Sequence, residues 1–395
     1  MRPASVVHKL PALAGGLGIL GSLGIATLAQ AAAFKVVLLQ PADDARLERA
    51  RVERAYLGHP TGPAADGVAA ALKEAKLELE SAGASLALET VPVASAADAK
   101  AAAQKAEKAG ALAVLTDLSA EATLAVADAV KLPVLNVSAA SDRLRQQDCR
   151  PRLYHVAPSE RMRADALAQT LVARKWSQVL LLTGPTPADA ERSAVAQAAI
   201  KRYGLKLSGS KPFKLSGDPR ERDLANPLLL TQGGHDVVWV VDSDGEFARS
   251  LPYRTATPRP VVGDAGLVAV AWHAQFERYG APQVSRRFAR EAKRTISAAD
   301  WTAWLAGKAL AAAVVAAPKG PAAAVHRALA EGEVDGSQGV SMSFRAWDGQ
   351  LRQPLLLTDG QGVIGSAPVD GILHPKNNLD TVGADAPEKL CKVAR

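Results

Sequence analysis

Short apolar runs alternate with segments of helical periodicity along most of the chain. The runs KVVLL at 35–39 and ALAVLT at 111–116 predict buried strands. Between them, AADGVAAALKEAKLELES at 64–81 and AADAKAAAQKAEKAG at 96–110 place their apolar residues on one face of a helix. The order from residue 35 to residue 138 is β-α-β-α-β-α-β, which predicts a parallel sheet with helices on both faces.

The alternation stops at RQQDCRPRLYHVAPSE, residues 145–160, and then starts again. Predicted strands at 177–183 and 235–241 flank the helical segment at 187–204, so a second α/β unit of similar size follows the first. We expect two further helices at 281–294 and 298–317, and a two-stranded hairpin that turns at Asp348–Gly349. The fold class is therefore α/β, with two Rossmann-like lobes built on parallel sheets.

The first 31 residues have the pattern of a secretory signal peptide. Arg2 and Lys9 flank a short segment before a stretch of small apolar residues, and Ala29 and Ala31 fit the A-x-A cleavage pattern. Cleavage near Ala31 predicts an exported protein, and an uncleaved membrane anchor is the alternative. Export makes one disulfide between Cys149 and Cys391 possible, with two separate thiols as the alternative.

Composition and motifs narrow the classes of function. The formal charge of +7 is small for 395 residues, and basic residues are interleaved with acidic ones, so we expect no nucleic-acid binding. Residues 32–395 contain no H-E-x-x-H, P-loop, G-x-S-x-G or C-x-x-C motif, and their histidines are scattered. We therefore predict that the protein is not an enzyme. We also predict no cofactor and no metal site.

Several segments resemble type I periplasmic binding proteins, the solute-binding components of ABC importers of the branched-chain amino acid class. GHPTGPAADGVAAAL at 58–72 resembles their first cleft loop and its helix, and LTDLSAEATLAVADAV at 115–130 resembles the loop and helix where a hydroxyl meets the ligand. RLYHVAPSERMRADALA at 152–168 resembles the first crossover between lobes. The resemblance implies a hinged cleft, a small-molecule solute, ABC permease subunits in the inner membrane as partners, a periplasmic location and a monomer.

A narrower resemblance is to the branch found with PQQ-dependent alcohol oxidation systems. It rests on DCRPRLYHVAPS at 148–159, RAWDGQLRQPLLL at 345–357 and the tail GILHPKNNLDTVGADAPEKLC at 371–391. This resemblance implies a solute connected with alcohol oxidation. The alternatives are a sensor or accessory protein of a periplasmic dehydrogenase system, and a binder of lanthanide or calcium ions.

The expected division of the chain follows from this resemblance. Residues 1–31 are the signal peptide, and residues 365–395 are a C-terminal strap. Residues 32–155 and 258–333 form the first lobe, and residues 156–257 and 334–364 form the second. In open α/β sheets, ligands bind beyond the carboxyl ends of the strands. The candidate ligand-binding residues therefore follow the predicted strands: Thr61, Gly62, Asp117, Ser119, Ser138, Ala139, Thr183, Thr186, Asp242, Asp244, Asp264 and Trp272.

Four of these candidates are carboxylates: Asp117, Asp242, Asp244 and Asp264. Three interpretations are open. They are ordinary surface acids and helix-first-turn acids, or they pair with an amine, or they hold a hard cation through oxygen ligands. The segment DSDGEF at 242–247 resembles the start of an EF-hand loop, but the twelfth position is Tyr253 instead of glutamate, so the EF-hand is rejected.

Overall fold

The computed structural model describes residues 32–48 and 62–393. The predicted signal peptide and the candidate Thr61 lie outside these ranges. These described residues belong to one compact unit. Within the described ranges, no helix is both long enough and apolar enough to cross a bilayer.

The first lobe is built on a five-stranded parallel sheet with the order β2-β1-β3-β4-β5. Both faces of its central strands are buried, as expected for a sheet covered by helices on each side. Its elements are β1 (Ala32–Pro41), α1 (Ala64–Glu74), α2 (Lys76–Ser81), β2 (Ala84–Val93), α3 (Ala96–Lys108), β3 (Ala113–Thr116), α4 (Ala120–Ala129), β4 (Val134–Asn136) and β5 (Leu153–His155).

The second lobe is built on a four-stranded parallel sheet with the order β7-β6-β8-β9. Its strands β6 and β8 are almost entirely buried. Its elements are α5 (Glu160–Ala173), β6 (Gln178–Thr183), α6 (Pro187–Arg202), β7 (Lys206–Pro212), α7 (Pro227–Leu230), β8 (Val237–Val241), α8 (Glu246–Ser250) and β9 (Val261–Gly263).

The remaining elements complete both lobes. The antiparallel sheet β10-β13-β14 packs against α5, and helix α10 is buried against α1, where a Cβ on Gly307 would lie 2.8 Å from that of Ala71. These elements are β10 (Val268–Val270), α9 (Ala281–Ala292), α10 (Ala298–Ala316), α11 (Ala322–Glu331), β11 (Glu333–Asp335), β12 (Ser341–Ser343), β13 (Leu355–Thr358) and β14 (Val363–Ala367).

Three expectations from the sequence are wrong. Strand β9 pairs with β8 of the second lobe, so the first lobe does not resume at residue 258. Strands β11 and β12 pair with each other and pack in the first-lobe core, so the second lobe does not resume at residue 334. The hairpin predicted at Asp348–Gly349 is only a turn with one bridge between Phe344 and Leu351, because β12 pairs with β11 and β13 pairs with β14. Apolar patterning identified these strands, but it does not specify which strand each one pairs with.

The chain passes between the lobes at 155–160, 263–271 and 344–355, and the buried Arg145 connects two of these segments. Its guanidinium donates hydrogen bonds to Gln350 Oε1 (2.9 Å) and to the carbonyls of Ala139 (2.9 Å), Ser141 (3.0 Å) and Ala157 (2.7 Å). Burial lowers the pKa of Arg145 to about 10, so the side chain stays charged at neutral pH.

A second buried arginine fixes the C-terminal segment, residues 368–393, to the crossover at 344–355. Arg345 donates to Asp380 Oδ1 (2.9 Å) and to the carbonyls of Leu379 (2.8 Å), Val382 (2.7 Å) and Ala384 (3.4 Å). Each of these acceptors belongs to the C-terminal segment. Arg345 therefore anchors that segment beside the hinge.

The C-terminal segment also contacts both lobes directly. In the second lobe, Arg161 forms a bidentate pair with Glu388 (2.9 and 2.6 Å), and Gln169 donates to Thr381 (3.2 Å). On the first-lobe side, Cys149 forms a disulfide with Cys391, which confirms the pairing proposed from the sequence. The segment is thus a strap that joins the two lobes across the hinge.

Candidate ligand-binding cleft

A cavity of about 340 Å³ lies between the two lobes. Ser138, just after β4, lines it from the first lobe, and Asp264, just after β9, lines it from the second. The carboxyl ends of both parallel sheets therefore meet at the cavity, which is where open α/β folds bind ligands. A neighbouring recess of about 350 Å³ on the first lobe shares Arg46 and Ser138 with it.

Most of the cavity wall is apolar. The crossover segments and the helices that follow them supply small aliphatic side chains, and β8 supplies an indole ring. The apolar residues that line the cavity are Val137, Ala157, Pro158, Ala164, Leu167, Val195, Ala196, Trp239, Val240, Val241, Val268, Ala269, Val270, Ala271, Ala298 and Ala299. A predominantly apolar lining with a few charged groups is the usual composition of a small-molecule site.

The charged lining residues of the second lobe form a chain of alternating sign. Ser159 caps α5 by accepting the N–H of Met162, and this fixes the first turn that carries Glu160 and Arg163. Glu160 Oε1 accepts from Arg163 Nη1, and Glu160 Oε2 accepts from Arg192 Nε, each at 3.4 Å. One glutamate carboxylate is therefore shared by two arginines at long hydrogen-bond distances.

Arg192 projects from α6 and also contacts the second-lobe strand end. Its Nη2 donates to Asp264 Oδ1, and Asp264 Oδ2 accepts the backbone N–H of Asp242 at 2.6 Å. Burial lowers the pKa of the Arg192 guanidinium, but the hydrogen bond to Asp264 and the charges of Asp264 and Glu160 outweigh burial and raise it overall. Arg192 is therefore cationic throughout the physiological range.

Arg163 has donors that the rest of the described chain does not use. Its Nε atom is buried and has no hydrogen-bond partner among the described residues. A guanidinium group carries five N–H donors, and the bond to Glu160 uses one of them. Buried donors without acceptors are rare in folded proteins. The Nε atom has almost no accessible surface, so the donors that Arg163 can offer to the cavity are those of its terminal nitrogens, in a side chain that is 38% exposed.

The predicted acid of the first lobe, Asp117, is paired with an arginine. Asp117 Oδ1 and Oδ2 accept from Arg46 Nη1 and Nη2, both at 2.9 Å, in a bidentate pair. Arg46 also donates to Asp44, and that hydrogen bond is the largest cause of a raised Arg46 pKa, with Asp117 adding to it against burial. Asp117 lines the first-lobe recess, but both of its carboxylate oxygens already accept a hydrogen bond from Arg46.

Three other first-lobe candidates lie at the same sheet edge. Ser119 caps α4 by accepting the N–H of Ala122 (3.2 Å), and it lines the recess. Ser138 and Ala139 donate their backbone N–H groups to Asn136 Oδ1 (3.2 and 2.8 Å), which shapes the loop after β4. The structure thus brings Asp117, Ser119, Ser138 and Ala139 together along the cleft edge.

Four second-lobe candidates are absent from the described lining of the cavity and take part in local hydrogen bonds instead: Thr183, Thr186, Asp242 and Asp244. Thr183 Oγ1 hydrogen bonds to Ser193 Oγ (2.8 Å), and Thr186 caps α6 in a capping box. Asp242 accepts the backbone N–H groups of Asp244 (3.2 Å) and Ala248 (2.9 Å), so it stabilises the start of α8. This arrangement fits an ordinary loop acid.

Three candidates remain: Asp264, Trp272 and Gly62. Asp264 was expected on the first lobe, but β9 belongs to the second sheet and places it there, beside Arg192. Trp272 is buried in the first-lobe core, with its ring stacked 5.6 Å from that of Trp301. Gly62 packs against Arg294, where a Cβ would lie 2.3 Å from the guanidinium Nε.

Sequence reasoning missed the arginines of the cleft and Glu160. It searched the residues directly after strands, whereas Arg163 and Arg192 lie on helices, and Arg46 lies in a charged stretch after β1. A signal for Glu160 and Arg163 was present, because residues three apart in the first turn after a crossover share one helix face. Within the described ranges, no cluster of three or more His, Cys, Asp or Glu is arranged to hold a metal ion.

Comparison with known proteins agrees with this architecture. Residues 57–252 match the model of a family described as periplasmic binding protein. A periplasmic binding protein from Burkholderia mallei superposes with a TM-score of 0.64 at 14% identity, over 91% of this chain and 98% of that one. The fold is that of a type I periplasmic binding protein. No curated protein shows significant sequence similarity to the chain.

Two other solved structures have the same type I fold and are named for their ligands or transporters. An ABC transporter solute-binding protein from R. palustris, in complex with benzoate, has a TM-score of 0.61 at 16% identity, over 85% of this chain and 96% of that one. A leucine-, isoleucine-, valine-, threonine- and alanine-binding protein from Brucella ovis has a TM-score of 0.64 at 13% identity, over 82% and 88% of the chains. Identities this low show a shared fold only.

Proposed function

We propose that this chain is the periplasmic solute-binding component of an ABC importer, which holds a small solute between its lobes and delivers it to permease subunits in the inner membrane. The observation that carries the proposal is the cavity of about 340 Å³ at the carboxyl ends of both parallel sheets. Hinged closure around a ligand is the working motion of such two-lobed proteins.

The lining of the cavity supports binding in preference to catalysis. The Ser138 hydroxyl, which lines the cavity, donates to the Leu118 carbonyl (3.2 Å), with no hydrogen bond to a histidine or carboxylate base among the described residues. Nucleophilic catalysis needs such a base within hydrogen-bond reach. The charged groups instead pair with one another, as in a site that must recognise a solute and release it unchanged.

The proteins with the same fold support a small solute for this chain as well. One is described in complex with benzoate, and another is named for binding leucine, isoleucine, valine, threonine and alanine. These names span aromatic acids and amino acids. They support the class of function without choosing a ligand for this chain.

The link to PQQ-dependent alcohol oxidation stays a prediction that rests on the resemblance of the tail and of residues 148–159. Under this prediction, the solute or a bound partner belongs to such a system. The runner-up function, an accessory or sensor protein of a dehydrogenase system, shares this basis. The strap beside the hinge gives the accessory function a surface on which a partner could act.

A thermal-shift panel on residues 32–395 tests the proposal. The panel contains amino acids, aliphatic and aromatic carboxylates, alcohols, PQQ, and lanthanum and calcium ions. A solute at one hundred times its Kd stabilises the folded protein by about 2.7 kcal/mol. We expect at least one organic solute to do so.

A matched pair of variants locates the binding. Ala299→Trp places a ring in the cavity from an exposed position on α10, and Ala194→Trp places one on the exposed face of α6. Only Ala299→Trp should remove the stabilisation. If no compound stabilises the protein and a dehydrogenase subunit is retained on pull-down instead, the accessory function replaces the transport function. Stabilisation by lanthanum or calcium alone would favour the cation binder.

A further inference from the structure

We infer that the interlobe cavity selects a compact organic monocarboxylate with an apolar body, and that Arg163 and Arg192 bind its carboxylate. This inference rests on the proposed function, because it names the solute class of the same cavity. It also differs from two of the three interpretations of the acidic strand ends, those with an amine or a hard cation as the ligand.

The acids of the cleft already have cationic partners. Asp117 is held by both terminal nitrogens of Arg46 at 2.9 Å, and Asp264 is held by Arg192 and by the backbone N–H of Asp242. An ammonium group gains most from a carboxylate whose charge is not already compensated. Both carboxylate oxygens of each aspartate already accept a hydrogen bond, so an ammonium would have to compete for them.

Glu160 is the remaining carboxylate among the described residues of the cavity lining. It lies between Arg163 and Arg192 and accepts from each at 3.4 Å. With Asp264, this cluster holds two positive and two negative charges and is neutral overall. An ammonium at Glu160 would therefore gain no net attraction, because both guanidinium groups stand beside it, and the preference for a carboxylate comes from the guanidinium donors that remain unused.

Arg163 and Arg192 each have guanidinium N–H donors that no described acceptor uses. Arg163 makes one described hydrogen bond, from Nη1 to Glu160 at 3.4 Å, so its Nη2 has no described acceptor, and the side chain is partly exposed. Arg192 uses Nε and Nη2 toward Glu160 and Asp264, which leaves Nη1 without a described hydrogen bond. Guanidinium donors in a fork match the two oxygens of a carboxylate.

The size and polarity of the rest of the cavity restrict the solute further. Its volume of about 340 Å³ is near the lower end of the range for small-molecule sites, so the solute is compact. Leu167, Val195, Trp239 and Val270 are among the apolar side chains that line the cavity. A second charge on the solute would be buried against these apolar walls at a high cost, which disfavours dicarboxylates and zwitterionic amino acids.

Calorimetric titration of residues 32–395 tests the inference with compounds of matched shape. The series pairs each carboxylate with its amide and its amine: butyrate, hexanoate and benzoate with butyramide, hexanamide and benzamide and with butylamine, hexylamine and benzylamine. Leucine is the zwitterion. At least one carboxylate should bind with a Kd about tenfold or more below that of its amide, the change expected for a charged hydrogen bond, and the amines should bind more weakly still.

Three variants assign the effect to the arginines. Arg163→Gln and Arg192→Gln should each weaken binding of that carboxylate about tenfold and leave binding of the amide within about threefold. Arg222→Gln removes an exposed arginine of the same lobe and is the control. Because Arg192→Gln also leaves Asp264 without its partner, Arg192→Lys and the melting temperature of each variant separate recognition from folding.

The outcomes are distinct from those of the proposed function. If an amine or leucine binds as tightly as the carboxylates, or if no carboxylate of the series binds at 10 mM (roughly 3 kcal/mol of binding free energy), the solute class is wrong while a transporter function stands. Unchanged carboxylate binding in both Arg→Gln variants would overturn the assignment of Arg163 and Arg192. If no solute of any class in the thermal-shift panel binds, the proposed function itself fails.

Discussion

The arginines of the hinge and the arginines of the cleft differ in how fully their donors are used. Arg145 and Arg345 are buried at the hinge, and each donates to four acceptors, most of them backbone carbonyls. Arg163 in the cleft makes one described hydrogen bond of 3.4 Å and keeps a buried Nε without an acceptor. The same side chain thus fixes the structure in one place and is available for a ligand in the other.

The difference has an energetic basis. A buried charge is costly, so a guanidinium with most of its donors satisfied belongs to the folded framework, and its removal leaves several acceptors buried without donors. A guanidinium with spare donors contributes little to folding but gains a partner when an anion arrives. The number of satisfied donors therefore separates framework arginines from recognition arginines in this molecule.

The largest expected effect is at the hinge. Arg345→Met should lower the free energy of unfolding by about 3–5 kcal/mol, because Asp380 and three carbonyls of the strap lose a buried donor. Urea unfolding followed by circular dichroism measures the change, with Arg222→Met as the exposed control. A loss below about 1 kcal/mol would contradict the role of Arg345 as a framework residue.

The second prediction removes the covalent end of the strap. The double variant Cys149→Ser, Cys391→Ser opens a loop of 242 residues and should cost about 2–5 kcal/mol of stability. Amide exchange in residues 386–393 should accelerate, whereas residues 378–384 should stay protected by Arg345. Equal acceleration of both segments would show that the disulfide, rather than Arg345, holds the strap at the hinge.

The third prediction uses the buried carboxylate beneath the strap. Burial raises the pKa of Asp165 to about 6, against the lowering effect of Arg202, Arg161 and the Gly383 N–H, while in the unfolded chain the pKa is near its ordinary value of 3.8. As pH falls from 7 to 4, the folded protein takes up this proton first, so its stability rises. The gain is on the order of 2–3 kcal/mol relative to Asp165→Asn.

Unfolding of the wild type and of Asp165→Asn at several pH values measures this effect. The difference in unfolding free energy between the two proteins should change through pH 6 and level off below about pH 4. A difference that is constant over this range would show that Asp165 is an ordinary ion-pair partner of Arg202 and Arg161. Asp165 would then resemble Glu160 of the cleft more than a buried acid of the framework.

Sequence alone predicted the alternation of strands and helices, because buried strands and amphipathic helices leave strong periodic patterns. It also proposed the Cys149–Cys391 pairing, since two cysteines in an exported chain leave few choices. It placed β9 in the wrong lobe, because an apolar run of three residues carries no information on the sheet that it joins. Strand pairing between distant segments is decided by the packed structure.

The site was predicted less completely for a similar reason. The strand-end rule brought Ser138 and Asp264 to the cavity. It could not show that Asp117 is paired with Arg46, 71 residues away in the chain, or that Asp264 is paired with Arg192. Charge at a site depends on such long-range partners. An acid-rich set of strand ends therefore did not reveal the arginines that face those acids.

The smallest expected effect on stability completes the comparison. Arg163→Gln should change the free energy of unfolding by less than about 0.5–1 kcal/mol, because it removes a single long hydrogen bond to Glu160 and an unmet donor. Urea unfolding in the absence of solute measures this, beside Arg345→Met under the same conditions. A loss comparable with that of Arg345→Met would make Arg163 a framework residue. A near-zero loss together with weakened carboxylate binding would show that its unused donors serve recognition, because folding alone has no use for them.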